Sequence, residues 1–333
     1  MILSYKKNSL NSLVTIIMYH YVRDLEDSRY PQIKGLSMDS FRQQILYLKK
    51  HYKFITMEQL IESIESGQPL SGKSVLLTFD DAYIDHYTQV FPFLTENNIQ
   101  GSFFIPAKAV AENILLNVNK IHFILAACTD KKLIVNDLLE ILDSFRNVYK
   151  IETNDFYIKK LSHSSRFDAG EVNFIKRMLQ VELDEPLRSL IVYKLFQKYV
   201  SVSEKIFSKE LYLSTDQIKT MLRFGMHIGS HGYDHNWLSC LSKNNQEADL
   251  SKSVEFLMGL GVDEKHLTMC YPYGSFNENT ILILSQMGFK AAFTTEVRVA
   301  DLKKDGRYTL PRLDTNDIPM KWQAETNEWY KMG

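Results

Sequence analysis

The stretch Ser74-Val75-Leu76-Leu77-Thr78-Phe79-Asp80-Asp81-Ala82-Tyr83 decides the fold of this chain. Its first five residues predict a buried strand, because a short apolar run of this kind is typical of a parallel sheet. Two adjacent carboxylates, Asp80 and Asp81, follow where the strand should end. Successive side chains of a strand point to opposite faces, so both acids can serve one site only if the backbone turns there. The alternative is a solvated loop in which one aspartate caps the next helix.

Strand-like and helix-like segments alternate on both sides of this stretch. Apolar runs predict further strands at 13–19, 101–106, 226–230, 267–271 and 290–294. Amphipathic segments predict helices at 37–52, 56–67, 82–97, 215–224 (capped by Thr215), 246–260 and 278–287. Such alternation predicts an α/β fold with a parallel sheet or barrel.

The alternation is interrupted between about 107 and 214. Charged, helix-like segments lie around 120–128, 138–149, 170–179 and 187–211, and no strand pattern is found there. We interpret this range as a helical insertion within a single catalytic domain that covers 1–333. It could serve as a lid, a partner surface or a dimerisation arm.

Composition excludes several classes of protein. The chain has 333 residues, a net charge of −1 and three separated cysteines, so no nucleic-acid partner, anionic-membrane partner or disulfide framework is expected. Lys6 and Lys7 precede an apolar run at 13–18 that is too short for a signal peptide, and no transmembrane segment is found. A cytoplasmic protein is therefore expected, although a chain with its signal removed would look the same.

Two histidines follow a later predicted strand. His231 and His235 are four residues apart and can converge on one ion, although two nearby surface histidines also occur by chance. Their predicted position matches that of Asp80 and Asp81, because the carboxyl ends of parallel strands form one edge of a barrel. Two histidines and one carboxylate would form a metal triad with open positions for water and substrate.

A third motif, Tyr271-Pro272-Tyr273-Gly274, follows the next predicted strand. Proline fixes a rigid turn, and glycine allows another backbone or a ligand to approach closely. A backbone N–H group presented here could stabilise an oxyanion, whereas the simpler reading is a tight turn.

These motifs resemble, in their order and loop contexts, those of the polysaccharide deacetylase family, carbohydrate esterase family 4. The resemblance covers roughly 13–106 and 215–315 and implies the family's distorted (β/α)7 barrel. It implies that Asp81, His231 and His235 bind a divalent metal, with Asp80 as the general base. Zn suits this ligand set best, and Co, Ni or Fe would also suit it.

The resemblance also implies that the backbone N–H of Tyr273 contacts the oxyanion. Three departures from the family pattern stand in the motifs: Ala82 replaces glycine, Gly232 replaces serine or threonine, and Cys270 replaces arginine. Gly232 removes one hydrogen bond behind the metal ligands.

The family's usual C-terminal acid histidine is also absent, since no histidine follows His266. Met18-Tyr19-His20 resembles the circularly permuted poly-N-acetylglucosamine deacetylase branch, in which the acid lies on an N-terminal strand. His20 is therefore the candidate general acid, and a buried structural histidine is the alternative. Arg312 could pair with Asp80 in place of the lost arginine, and His86 is expected on a helix surface.

The leading hypothesis is a metal-dependent hydrolase that removes an N-acetyl group from an amino sugar in a saccharide or saccharide precursor, through metal-activated water. One alternative is hydrolysis of another C–N amide, such as a formyl-sugar or a cyclic imide. Another is a non-catalytic carbohydrate-binding relative. The sequence predicts no oligomeric state.

Overall fold

The structure is a computed structural model that describes residues 10–166 and 168–332. Lys6 and Lys7, which entered the prediction about the N-terminus, lie outside the described residues. The described chain divides into two compact units. The first contains 10–24, 35–113 and 209–332, and the second contains 25–34 and 114–208. No helix in the described part of the chain is both long and apolar enough to cross a membrane.

Parallel strands form the centre of the first unit. Among the described residues these are β1 (Leu13–Tyr19), β2 (Ser74–Asp80), β3 (Ser102–Ile105), β4 (His227–Ser230), β5 (Thr268–Cys270), β6 (Ala291–Phe293) and β7 (Leu313–Asp314). Strands β1 to β6 are neighbours in chain order, and β7 pairs with β1.

The segment that leads into β7 bends the sheet towards closure. Leu310 bridges to Phe293 of β6, and Leu313 pairs with Ile17 of β1. The segment 310–314 therefore lies between the last and first strands. This arrangement confirms the predicted distorted (β/α)7 barrel.

Short strands extend the sheet at its margins. Lys53–Phe54 pairs with β2, Ala300–Asp301 pairs antiparallel with β1, and Leu10–Asn11 pairs antiparallel with Leu70–Ser71.

Helices of the first unit connect these strands. Their bounds are Met38–His51, Met57–Ser66, Phe91–Glu96, Ala107–Ala111, Thr215–Arg223, Lys243–Leu260, Glu278–Gln286 and Glu328–Met332. Short one-turn segments are His86–Val90, Leu238–Cys240, Glu264–His266, Pro272–Gly274 and Thr315–Asp317.

Local sequence explains most of these helix ends. The helix that starts at Met57 has a capping box from Thr56 and Gln59 and ends at Gly67, whose φ is 68°. The prediction that Thr215 caps a helix was wrong, because Ser214 accepts the hydrogen bond and Thr215 is the first helical residue. The predicted helix start at Ala82 was also wrong. Residues 81 and 82 form a turn, and helical geometry starts at 84.

The barrel strands separate two apolar layers, since their side chains alternate between faces. Val14, Ile16 and Leu76 belong to one buried cluster together with Phe104 and Phe293 from other barrel strands. Their neighbours on the opposite face belong to a second cluster that includes helix residues. Among these neighbours are Ile17, Tyr19, Leu77 and Phe79.

The second unit is helical. Helical segments of the region are Asn117–Ala127, Lys131–Asp143, Asn154–Leu161, Gly170–Arg177, Met178–Glu182, Glu185–Tyr199 and Glu204–Leu211. The helix at 154–161 was not predicted, and the predicted segment 187–211 is two helices. Buried Ile134, Leu138, Phe174 and Ile191 contribute to the apolar interior of this unit.

Candidate metal centre

The carboxyl end of the barrel collects the polar side chains singled out in the sequence. Tyr19 of β1 pairs with Phe79 of β2, so His20 and Asp80 occupy equivalent positions on neighbouring strands. His20 follows Val14 and Ile16 at even spacing, and Asp80 follows Leu76 and Thr78 in the same way. Period-two alternation therefore places both residues on the inner face.

A left-handed turn explains how two adjacent carboxylates serve one site. Asp81 has φ of 77° and Ala82 has φ of 54°, although both are non-glycine residues. Such conformations cost about 1–2 kcal/mol each and persist only where the surroundings hold them. The turn keeps Asp81 at the strand end, and both aspartates are almost fully buried.

Asp81 lies beside the histidine pair. Its Oδ1 is 3.4 Å from Nε2 of His231 and 3.3 Å from Nε2 of His235. One potential ligand atom from each residue lies within 4.8 Å of the others, and all three residues are buried. Oδ1 accepts no hydrogen bond from any described residue. A buried carboxylate oxygen facing two imidazoles fits a divalent cation, and the donor set is typical of Zn and of related transition metals.

Hydrogen bonds behind the histidines orient this cluster. Nδ1 of His231 donates to the carbonyl oxygen of Cys270 at 2.7 Å, which leaves Nε2 directed at Asp81. The loop between the two histidines is held by Asp249, whose carboxylate accepts from the backbone N–H groups of Tyr233 and Asp234 at 2.8 and 3.2 Å.

The charges of the cluster shift the pKa values of its members in different directions. Burial alone would raise the pKa of Asp81, but the two imidazoles hold it well below its ordinary range. Burial lowers the pKa of His231, whereas Asp81 and Asp80 raise it above its ordinary value. For His235 burial prevails, and its pKa is lowered despite Asp81. The site therefore keeps an ionised carboxylate between imidazoles of unequal basicity.

Asp80 is paired with Arg312, as the sequence analysis suggested. Nη1 of Arg312 donates to Oδ1 at 2.9 Å, and Nη2 donates to Oδ2 at 2.8 Å. Arg312 is completely buried and also donates to the Thr78 hydroxyl and the Thr294 carbonyl. Burial raises the pKa of Asp80, but the Arg312 charge outweighs it and lowers the value to about 2. Asp80 is therefore ionised at neutral pH.

Cys270 occupies the position where the family usually has arginine. Its sulfur lies 3.0 Å from Nη1 of Arg312, and burial raises the thiol pKa well above its usual range. The small neutral thiol thus leaves space beside Asp80 for a guanidinium that comes from the segment before β7.

His20 is half-buried at the end of β1. Its imidazole contributes to lowering the pKa values of Asp80, Asp81 and His235, which indicates that it lies near all three. Its carbonyl oxygen accepts a hydrogen bond from Nε2 of His86 at 2.8 Å. The prediction that His86 lies on a helix surface was wrong, because its side chain is fully buried.

Tyr273 borders the cluster on the side of His235. Its ring contacts the His235 ring edge-on at a centroid distance of 4.7 Å and stacks on Trp237 at the same distance. Its φ of 58° shows that the Tyr-Pro-Tyr-Gly segment turns sharply beside the histidines.

Sequence reasoning missed two residues that hold the cluster. The Tyr83 hydroxyl donates to Oδ2 of Asp81 at 2.7 Å, and its position two residues after Asp81 was a usable signal. Asp249 lies in a helix, and no local pattern distinguishes it from a solvated acidic residue.

Comparisons with known proteins point to one family. A sequence model described as polysaccharide deacetylase matches residues 67–141 and 163–292, which is more than half of the chain. The matched ranges include Asp80, Asp81, His231, His235 and Tyr273. His20 and Arg312 lie outside them.

One curated relative is the poly-beta-1,6-N-acetyl-D-glucosamine N-deacetylase of Escherichia coli (strain K12). It is 33% identical over 85 residues, which is 25% of this chain and 12% of that protein. A Staphylococcus epidermidis protein of the same name is 32% identical over 128 residues and is covered to 43% of its length. The chain thus spans less than half the length of these relatives.

Solved structures extend the likeness to the whole fold. The Streptococcus pyogenes deacetylase PplD, in complex with acetate, has a TM-score of 0.56 and 16% identity over 91% of this chain and 92% of that one. IcaB from Ammonifex degensii has a TM-score of 0.53 and 20% identity, with 90% and 91% covered. At these identities the likeness establishes a shared fold.

Proposed function

Because the chain belongs to the polysaccharide deacetylase family, we propose that it removes an N-acetyl group from an amino-sugar residue of a saccharide. The observation that carries the proposal is the buried cluster of Asp81, His231 and His235 with ionised Asp80 next to it. A carboxylate oxygen without a hydrogen bond among the described residues is costly to bury unless a cation occupies the position beside it.

A divalent cation bound by this triad would lower the pKa of water and polarise the acetamide carbonyl. Asp80, ionised beside this triad, would act as the base that takes a proton from the attacking water. The two hydrogen bonds from Arg312 fix the plane of the Asp80 carboxylate and keep it charged. General-base residues of this kind contribute about 10²- to 10⁴-fold to the rate.

The leaving amine must receive a proton, and His20 is proposed to donate it. Its place at the end of β1, beside the strand that carries Asp80, supports this role. The hydrogen bond from His86 to the His20 backbone fixes the chain at this position. The backbone N–H of Tyr273 is proposed to stabilise the oxyanion of the tetrahedral intermediate, since Tyr273 adjoins the metal-ligand candidate His235.

The sugar is proposed to be an N-acetylglucosamine unit in a β-linked oligomer, by analogy with the names of the curated relatives. A lipid- or nucleotide-linked precursor would present the same acetamide and would suit a cytoplasmic protein. The cytoplasmic location stays a prediction. Zn is the proposed cation.

Acetate release from a β-1,6-linked N-acetylglucosamine oligomer, and from a chito-oligomer, tests this function. The unmodified chain loaded with Zn(II) is expected to release acetate and no formate. Asp81→Ala and His235→Ala are expected to lose both Zn(II) binding and acetate release, because each removes a ligand. Asp80→Asn and His20→Gln are expected to keep Zn(II) and to lose 10²- to 10⁴-fold in turnover.

The matched control is a charged residue elsewhere in the first unit. Asp263→Asn removes a carboxylate that accepts from Lys265 in an exposed turn, and full activity is expected. Full activity of Asp80→Asn would contradict the assigned mechanism. Release of formate instead of acetate from matched substrates would favour the other amide hydrolase.

A further inference from the structure

We propose that Tyr83 is a positioning residue of the cation site, whose hydroxyl holds one oxygen of Asp81 so that the other faces the two histidines. This inference rests on the metal site of the proposed function. Tyr83 donates to Oδ2 of Asp81 at 2.7 Å. Oδ1 is the oxygen that lies 3.3–3.4 Å from the two Nε2 atoms. The two oxygens of one carboxylate are thus assigned to different partners.

The assignment has a consequence for the cation. A carboxylate on a flexible strand end can rotate and offer either oxygen, or both, to an ion. With Oδ2 engaged by a hydroxyl, Asp81 presents one oxygen in a fixed direction. Hydrogen bonds to ligating carboxylates commonly set ligand orientation, and their loss typically costs 10- to 100-fold in metal affinity or activity.

The Tyr83 ring is itself held by neighbouring aromatic rings. It is fully buried and stacks on the Tyr21 ring at a centroid distance of 3.8 Å, with 16° between the planes. It also lies nearly parallel to the Tyr212 ring, at a centroid distance of 6.5 Å. Its hydroxyl contacts Oδ2 of Asp81, whereas the two histidines face Oδ1, so Tyr83 acts on the site through Asp81.

The backbone next to Tyr83 is fixed as well. The carbonyl oxygen of Ala82 accepts from the N–H of Leu213 at 2.9 Å, and Tyr83 and Tyr212 form an antiparallel bridge. These contacts stabilise the left-handed residues Asp81 and Ala82, whose conformation is intrinsically unfavourable. The hydroxyl bond to Oδ2 of Asp81 ties the side chain of one of these left-handed residues to Tyr83, so its loss could affect both the carboxylate and the turn. These two effects are separable.

Titration of the full chain, freed of metal, with Co(II) tests the role on the carboxylate. Tyr83→Phe removes only the hydroxyl and is expected to weaken Co(II) affinity about 10- to 100-fold. The visible absorption bands of the Co(II)-loaded variant are also expected to shift, because the carboxylate changes its coordination. Tyr308→Phe is the matched control. It removes a hydroxyl that donates to the Phe289 carbonyl at 3.0 Å, and affinity and spectrum should not change.

Ala82→Gly separates the two roles, since glycine adopts positive φ without steric cost. We expect Tyr83→Phe to lower the unfolding temperature of the metal-free protein. Adding Ala82→Gly should recover this loss, while the affinity for Co(II) stays low. Recovery of affinity together with stability would overturn the inference, because the hydroxyl would then act only on the turn. Unchanged affinity and spectrum in Tyr83→Phe would also overturn it and leave the proposed function intact. Failure of the unmodified chain to bind Co(II) or Zn(II) would overturn both.

Discussion

Asp80 and Asp81 are consecutive residues, but the structure surrounds them in opposite ways. Both oxygens of Asp80 accept hydrogen bonds from Arg312, whose guanidinium comes from the segment just before β7. One oxygen of Asp81 accepts a hydrogen bond from the Tyr83 hydroxyl. The other oxygen faces two imidazoles and accepts no hydrogen bond from any described residue. We call these surroundings the arginine side and the histidine side.

The difference indicates how a pair of identical residues can divide two tasks. A carboxylate that is paired with a permanent cation of the protein stays ionised and keeps its geometry whether or not a metal is bound. A carboxylate whose neighbours are imidazoles is prepared for a cation from solution, because neutral imidazole nitrogens are themselves ligands. The strand end and the turn decide which aspartate meets which side.

Breaking the arginine side should have the largest effect on stability. Arg312→Met leaves the buried Asp80 carboxylate without its cation, and such losses cost about 3–5 kcal/mol in the free energy of unfolding. The double variant Asp80→Asn with Arg312→Met removes both charges and should be more stable than the single variant. Denaturant unfolding of the metal-free proteins measures both.

The matched control is Arg298→Met. Arg298 pairs with Glu296 and Asp305 at the surface, where its side chain is 37% exposed, so about 1 kcal/mol or less is expected. If Arg312→Met were as stable as Arg298→Met, the buried Asp80 carboxylate would not depend on Arg312 as its cation.

A pH series extends the comparison to His86, another buried imidazole close to the two aspartates. Burial lowers the pKa of His86 to about 4, although its hydrogen bond to His20 and the nearby aspartates oppose the shift. The unfolded chain therefore binds a proton at its ordinary pKa of 6.5, before the folded chain does. Stability is fully present above pH 6.5 and falls as pH drops towards 4, by up to about 3 kcal/mol.

His86→Gln tests this, because glutamine keeps a donor for the His20 carbonyl and does not titrate. The loss of unfolding free energy between pH 7 and 4.5 should become smaller than in the unmodified chain. His163→Gln, which changes an exposed side chain of the second unit, is the control. An identical pH dependence in His86→Gln and the unmodified chain would exclude His86 as the source.

The smallest expected effect concerns the loop of the histidine side. Gly232→Ser introduces the residue type usual in the family, but here Gly232 has φ of 71° and an added Cβ would lie 3.1 Å from Oδ2 of Asp249. We expect the free energy of unfolding to fall by about 1–2 kcal/mol because of the positive φ, and to fall further because of this contact.

Gly72→Ser provides the matched comparison, since Gly72 has nearly the same φ of 72° and no atom within 4 Å of the added Cβ. In urea unfolding, Gly72→Ser should lose less free energy of unfolding than Gly232→Ser. Equal losses would indicate that the Asp249 contact relaxes without cost.

Much of the fold and of the site was predictable because it depends on short-range patterns. The apolar run that ends at Asp80 specified a buried parallel strand, and His231 and His235 specified a second strand end with ligand-type side chains. Parallel strands bring their carboxyl ends to one edge, so local signals sufficed to place these residues together. Helix ends were predictable to a similar degree, except where Ser214 and the turn at Ala82 shifted them by one or two residues.

Contacts between distant segments were decided by the tertiary structure. The sequence could offer Arg312 only as a candidate partner for Asp80, since more than 200 residues separate them and the contact depends on β7 lying beside β1. The same holds for Asp249 behind the histidine loop and for the burial of His86. The sequence by itself determined which strand ends carry carboxylates and imidazoles. Only the barrel's closure decided which aspartate receives the guanidinium and which faces the histidines, because that choice depends on backbone turns and packing rather than on residue type.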